Sequence, residues 1–415
     1  MNPILFSIFL FLSSQNSPAQ VELNFGGGLF QGNPAGKIEV GFDAISDSIG
    51  FGLVAPFITS YKNNNFEFYS RGWDSPGDYA HTIRYLSWRG QHNQLKGQIR
   101  IGEEYNFTLG NSLLMHHFNN LIFMDHQHSS GSLDLKDDNL HLQGFMNDFV
   151  EPEIFGGTLS FNFLSRYKLG ASFLLDNKFP KELSDPENMS HSIDIDQERG
   201  KLTPFSTTKF FNSSIFANFN FNQYWSAGIT LSSLKPDSFD YYGGQIHLEA
   251  KFEPKNFKLG FKTSVAGGFD KFSPWLMDSF YLMRRYYSEI DAGQTTLHEK
   301  LSNKTNPGWG GNFDFFLGYK DNLFLEGGIK HTDLNSVFHM SGEFIITKKF
   351  ILAFYGAGDL SKNYMFSMIS RISVYKNWYL WGQAKRLFAI IPGNNYYESS
   401  SCYLAGIGYK LRTGN

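Results

Sequence analysis

One cysteine, Cys402, is all that 415 residues hold, so no internal disulfide can form and no cysteine-based zinc site can be built. Stability has to come from packing and hydrogen bonding. Beyond the N-terminal segment the chain also lacks any apolar run near the about 18 residues that a membrane-crossing helix needs. It has no strong charge of one sign: 36 Lys and Arg against 39 Asp and Glu leave a net −3, which gives no case for nucleic acid as a partner. No G-x-S-x-G stretch is present to carry a hydrolase nucleophile.

What the chain does have is aromatic side chains, with 43 Phe and 21 Tyr. At its start, Ile4 to Leu12 form an apolar core of signal-peptide length, and Ser17-Pro18-Ala19 offer small residues for cleavage. Residues 1–19 are therefore expected to be a signal peptide and Gln20 the first mature residue. Met1 to Pro3 carry no Lys or Arg, so only the α-amino group supplies positive charge, and with no Cys after the core a lipoprotein anchor is excluded. An exported, aromatic-rich chain without spanning helices suggests an outer membrane crossed by strands. The mean hydropathy of −0.29 fits, because a water-filled barrel is greasy only on alternate residues.

That alternation is plain from Gly308 to Leu411. Phe313, Phe315, Leu317 and Tyr319 fall on one face of a period-2 strand, opposite Asn312, Asp314, Gly318 and Lys320. Tyr403, Ala405, Ile407, Tyr409 and Leu411 repeat it, as do Ile246 and Leu248, then Phe257, Leu259 and Phe261. Earlier strands are expected at Lys37–Ile45, Phe51–Tyr61, Phe66–Arg71, Thr82–Trp88 and Leu95–Gly102, with hairpins at Ser132–Phe145 and Gly157–Leu175. The glycine-rich stretch from Val21 to Gly36 reads either as a first strand or as a lead-in. Leu113–Met115 and Leu121–Met124 are continuous apolar runs that do not separate strand from short helix.

Two long interruptions break the rhythm. Residues 176–208 read as an acidic loop, with Asp185, Glu187, Asp194, Asp196 and Glu198. Residues 270–307 read as a helical insertion: Ser273-Pro274 starts a helix over about Trp275 to Ile290, with Leu276, Phe280, Met283 and Tyr287 on one face beside Arg284 and Arg285. Four strands between the two loops put both on one side, and seven more return the chain to the other. Ten strands counted before Asp176 do not agree with that, since an odd number is needed unless Val21 to Gln31 adds one. At roughly 20–24 residues per strand the 396 residues after the signal give about 16–20 strands, with 18 the central expectation. The expected fold is thus all-β, a single-chain antiparallel transmembrane β-barrel over residues 20–415.

Near the C-terminus, Gly406-x-x-Tyr409-x-Leu411 resembles the assembly signal on the last strand of bacterial outer-membrane proteins. It departs from that pattern at Leu404 and in the extension Arg412 to Asn415. The layout as a whole is similar to porin-like barrels. That resemblance implies a bacterial outer-membrane location, contact with outer-membrane lipid, lipopolysaccharide and the barrel-assembly machinery, and passive diffusion of small solutes without a cofactor. Oligomeric state stays open. Strand patterning begins almost at once, which leaves no room for a TonB-dependent plug domain and disfavours active uptake.

The inward wet faces supply the candidate pore-lining residues: Lys96, Arg100, Lys251, Lys258, Lys262, Lys320, Lys330 and Arg371, against Glu249, Asp314, Glu326 and Glu343. Such a wall is basic, the offsetting acid lies in the loop after Asp176, and the channel is expected to favour anions weakly. His116, His117, His126 and His128 invite a metal reading, and the plainer one is a wet wall or loop with exposed imidazoles. Asp125, His126 and Ser129 supply hydrolase residue types without a motif. The expectation is no enzyme, no metal and no catalytic residue. The alternatives are an outer-membrane enzyme, a surface adhesion barrel, or an exported soluble sandwich or propeller.

Overall fold

The computed structural model describes residues 19–413, except 47, 63, 71–72, 74–78, 80–81, 104–106, 125–128, 165, 184–193, 197–200, 237–239, 287–294, 321, 348, 360–362 and 391–396. Residues 1–18 of the expected signal peptide and 184–193 and 197–200 of the expected acidic loop lie outside the described residues, as do Asp125, His126, His128 and Tyr287, while 176–182 and 206–208 of that loop belong to wall strands. Among the described residues no helix is long and apolar enough to cross a membrane, which says nothing about strands.

Each wall strand pairs antiparallel with the next, and the first, Ala19–Phe30, pairs with the last, Tyr397–Thr413, in register from Ala19 opposite Thr413 to Phe30 opposite Cys402. The sheet therefore closes on itself with 20 strands, at the upper end of the expected range. The stretch at Val21 is thus a strand. Its glycines serve the closing seam, where a Cβ on Gly406 would stand 1.9 Å from the Phe25 carbonyl oxygen and one on Gly28 2.0 Å from that of Tyr403. Its hairpin to Asn33–Ile45 turns through Gln31 (φ 52) and Gly32 (φ 78), both left-handed as a two-residue type I′ turn requires.

Nine wall strands precede the acidic loop, not ten. Phe66–Arg71 is not a wall strand: Asn65–Phe68 only prolongs a hairpin with Thr59–Lys62. The apolar runs at Leu113–Met115 and Leu121–Met124 are not wall strands either, because they fold inside the barrel. Ala19 and Thr413, which begin the first and end the last wall strand, lie at one end of the barrel, where the wall turns are two to four residues long. The longer connections, 63–82, 103–129, 183–205 and 269–308, all lie at the other. The four strands from Ser206–Asn220 to Phe257–Gly268 and the seven from Trp309–Tyr319 onward stand as expected.

The outer face is apolar over its whole girth. Ile246 is 67% exposed, Ile407 51% and Phe313 45%, with Ile229, Leu231, Val265, Ile329 and Phe338 also exposed. An exposed apolar surface of that extent has no place in water, and a closed sheet with no unpaired edge is what hydrocarbon demands. Aromatic side chains gather where the strands end. Phe163, Tyr167, Tyr224, Tyr319 and Trp378 are exposed near the short turns, and Tyr61, Tyr242, Trp309 and Tyr364 near the long loops. Neighbours in the cluster at Trp378 divide between faces, since Tyr379 and Trp381 point inward. Aspartate at Phe315, on the outer face of Trp309–Tyr319, puts a charge against lipid. A lysine or arginine there costs about 2–4 kcal/mol near the midplane and an aspartate somewhat less. Phe315→Asp should impair assembly, read as loss of heat-resistant mobility in detergent; normal assembly would mean that the face is misassigned.

Candidate functional site

Side chains alone fill a barrel of about eight strands, whereas one of 20 leaves a lumen. Here two loops from the long-loop end enter it. Leu114, Met115, Phe118 and Ile122 of the 103–129 connection pack against Trp275, Met277, Phe280, Tyr281 and Met283 of the 269–308 connection, all almost fully buried. Their backbones join as well. His116 N–H donates to Met277 O (3.0 Å), and Ile122 and Met124 exchange hydrogen bonds with Phe388 of the wall strand Trp378–Ile390 (2.9 and 2.8 Å). This explains why the two runs are continuously apolar: they are buried on every side and need no wet face.

The helix expected over Trp275 to Ile290 is much shorter. Trp275 has φ 50, outside the helical region, and Asp278 folds back so that Oδ1 accepts from the Phe280 N–H (2.9 Å). Among the described residues only Tyr281–Arg284 is helical there, followed by Leu297–Asn303 with a Thr296/Glu299 capping box. Burial inside the barrel, not an amphipathic surface helix, satisfies Leu276, Phe280 and Met283.

A buried ionic network pins this insertion to the wall. Asp278 pairs with Lys330 and with Arg284 (2.9 Å), and Arg284 also reaches Asp359 (3.2 Å). Arg285 pairs with Glu153 and with Asp176 (3.2 Å), and Tyr281 Oη donates to Asp176 (2.9 Å). Charges buried this deeply stay only when matched, so the pairs to Lys330, Asp359 and Asp176 fix the loop to three wall strands.

A second contact lies at the tip of the 103–129 connection. Lys262 Nζ donates to Asn111 O and Ser112 Oγ, both at 3.1 Å. Next to it, His116 Nε2 stands 3.0 Å from Asp314 Oδ2, and His117 Nε2 3.4 Å from Asp314 Oδ1. His339 of the wall packs its ring on His117 with centroids 3.5 Å apart. Burial, reinforced by Lys262 and Lys330, pushes His117 down to about 3, and burial with the neighbouring imidazoles and lysines puts His116 well below the usual histidine range. Both imidazoles are neutral.

The loops leave one part of the lumen open. A cavity of about 350 Å³ lies against the first three and the last wall strands, lined by Lys37, Glu39, Arg84, Glu103, Arg371 and Lys385 together with Tyr69, Trp73 and Trp381. Lys37 pairs with Glu39 (2.6 Å), Arg84 with Asp43 (3.3 Å), and Arg371 clasps Glu22 through two bonds of 2.9 Å. Lys385 makes no ion pair among the described residues.

Of the residues picked from the sequence, Arg371 alone lines this cavity. Lys262, Lys330 and Asp314 face inward but hold the loops. Glu249 pairs with Lys251 (2.7 Å), Glu326 accepts from Ser341 Oγ (2.7 Å), and Arg100 Nη2 donates to Glu103 O (3.1 Å). Lys96, Lys258 and Glu343 are exposed toward the short-turn end. Lys320 is not on the wall: it sits in the turn after Tyr319 with φ 50, its Nζ 5.4 Å from the Tyr319 ring, because the strand ends before it. Glu22, Lys37, Glu39, Arg84 and Lys385 escaped notice. The alternation of Glu22 and Asn24 with Val21, Leu23 and Phe25 would have found the first of them.

No family model matches the chain, and no characterised protein matches it in sequence. Among solved structures it is similar to Pseudomonas aeruginosa OpdL at 10% identity and a TM-score of 0.32, covering 96% of this chain and 99% of that one. Acinetobacter baumannii OccAB4 gives 10% identity and 0.32, covering 96% and 98%. The E. coli K12 ferric-catecholate import receptor Fiu, in its open form, gives 7% identity and 0.40, covering 95% and 81%. Superpositions this loose carry no argument about function, and the barrel stands on its own strand register.

Proposed function

We propose that this protein is a porin-like channel of the bacterial outer membrane, surrounded by outer-membrane lipid and lipopolysaccharide and inserted by the barrel-assembly machinery, that passes small hydrophilic solutes and weakly favours anions. The observation that carries the reading is the charged cavity beside the infolded loops. A wall of 20 strands encloses more space than the loops fill, and what they leave carries six ionic side chains set among aromatic and aliphatic ones. Four cations, Lys37, Arg84, Arg371 and Lys385, line it against two acids, Glu39 and Glu103. Glu22 and Asp43 compensate from behind, so four acids answer the four cations and any preference rests on Lys385, which makes no ion pair among the described residues.

The test is a planar-bilayer recording of purified, refolded protein. Discrete conductance steps are expected, and a properly folded barrel that never conducts would favour the enzyme or adhesion readings. Selectivity follows from the reversal potential across a salt gradient. A unit charge about 8 Å from a passing ion in water acts with about 0.5 kcal/mol on anion and cation in opposite senses, so removing it changes the ion ratio roughly fivefold and reversing its sign roughly thirtyfold. Lys385→Glu should therefore move the channel to cation preference, and an unchanged reversal potential would remove Lys385 from the path.

A further inference from the structure

We propose that His116, His117, His339 and Asp314 form a binding site for one divalent d-block cation of the zinc type, clasping the infolded 103–129 loop to the barrel wall. The site does not depend on the channel reading. Two of its ligands come from the loop and two from wall strands, Trp309–Tyr319 and Ser336–Thr347.

The spacing fits. Zinc bonds to imidazole nitrogen and carboxylate oxygen of about 2.0–2.1 Å place neighbouring ligand atoms of a tetrahedron about 3.3 Å apart. His116 Nε2 to Asp314 Oδ2 is 3.0 Å, and His117 Nε2 to Asp314 Oδ1 is 3.4 Å. The ligand atoms of His116, His117 and Asp314 all lie within 4.8 Å of one another. His339 Nε2 stands 3.9 Å from Asp314 Oδ1, outside that tighter group, and would join it as fourth ligand by turning its ring toward Asp314.

Three further observations point to a ligand. His339 is 6% exposed and its Nε2 has no hydrogen-bond partner, so a buried polar atom is aimed at the cluster with nothing bound to it. His116 Nε2 accepts from Asn312 Nδ2 (2.7 Å), so it is the unprotonated nitrogen of that ring, and a metal would take its lone pair in place of the amide. Consecutive residues of an extended segment normally point to opposite faces. His117 has φ 53, a left-handed conformation uncommon outside glycine, and its ring lies with that of His116, centroids 4.1 Å apart. The backbone is bent to put both imidazoles on Asp314.

The donor set also sets the class of ion. Three neutral nitrogens and one carboxylate suit zinc, nickel, cobalt or copper, whereas calcium and magnesium need oxygen donors.

The test uses the full-length barrel in detergent, stripped with chelator and dialysed against zinc chloride, with bound metal measured per chain. One zinc per barrel is expected, resistant to excess magnesium or calcium, together with a zinc-dependent rise in melting temperature. His339→Gln and His117→Gln should each weaken binding at least tenfold, and Asp314→Asn likewise. Cobalt in the unmodified protein should give the intense visible bands of a tetrahedral site, which keeps the test decisive if a variant fails to fold. Absence of stoichiometric zinc would overturn the proposal and leave a hydrogen-bonded His–Asp cluster. Binding that survives in well-folded His339→Gln and His117→Gln would overturn it too, by placing the metal elsewhere.

Discussion

Replacing Asp278 with alanine will release the insertion from the lumen while the wall stays closed. Among the described residues Asp278 is the only acid paired with buried Lys330 and one of two paired with Arg284, and it also accepts from the Phe280 N–H. Removing one partner of a buried pair costs about 3–5 kcal/mol, because the cation left behind is stranded away from water. The strand ladder does not pass through Asp278, so the loss falls on the loop. The expected result is a barrel that keeps its heat-resistant mobility, yet is cut by protease within 269–308 and conducts with larger, noisier steps. Asp278→Asn keeps an acceptor for Phe280 and should show a milder form. Unchanged proteolysis and conductance in the alanine variant would mean that the network does not hold the loop.

Deleting Pro274 to Ile290 should raise conductance several-fold. Trp275, Phe280, Tyr281 and Met283 lie in the apolar cluster that blocks the lumen, and nothing else among the described residues occupies their place. Removing them leaves the 103–129 loop as the other infolded segment within a wall of 20 strands, a size at which barrels leave an aqueous channel. It also strands Asp176, Glu153, Asp359 and Lys330, but on a surface that water then reaches, so the charges cost little. A conductance equal to that of the intact chain would assign the insertion a purely structural part.

The wall was legible because its signal is local. Ile246, Leu248, Phe313 and Ile407 could each be assigned to the outer face from neighbours two residues away, and their exposure agrees. The interior was not legible, because its partners are remote in the chain. His116 meets Asp314 across 198 positions and Arg371 meets Glu22 across 349, so neither pairing leaves a spacing to read. For the same reason a sum over wet faces overstated the free positive charge of the wall: it counted Lys262 and Lys330, whose charges are engaged by the loops. The helix at Trp275 failed differently. Its apolar spacing was real, but a segment buried on all sides has no need of one helical face.

The seam between Ala19–Phe30 and Tyr397–Thr413 sets the order of folding. Every other wall pairing joins strands adjacent in the sequence, whereas this one joins nearly the two ends of the chain. Contacts so distant form late, because the loop they close must first be gathered by everything between. Until then the growing sheet carries two bare edges, each able to capture a strand from another copy. Gly28 and Gly406 lie where those edges meet, and a larger side chain at Gly406 would strike the Phe25 carbonyl as the ring shuts. A substitution there should act on the kinetics of closure: slow refolding and chain-to-chain aggregates, from a sheet whose other pairings are all intact.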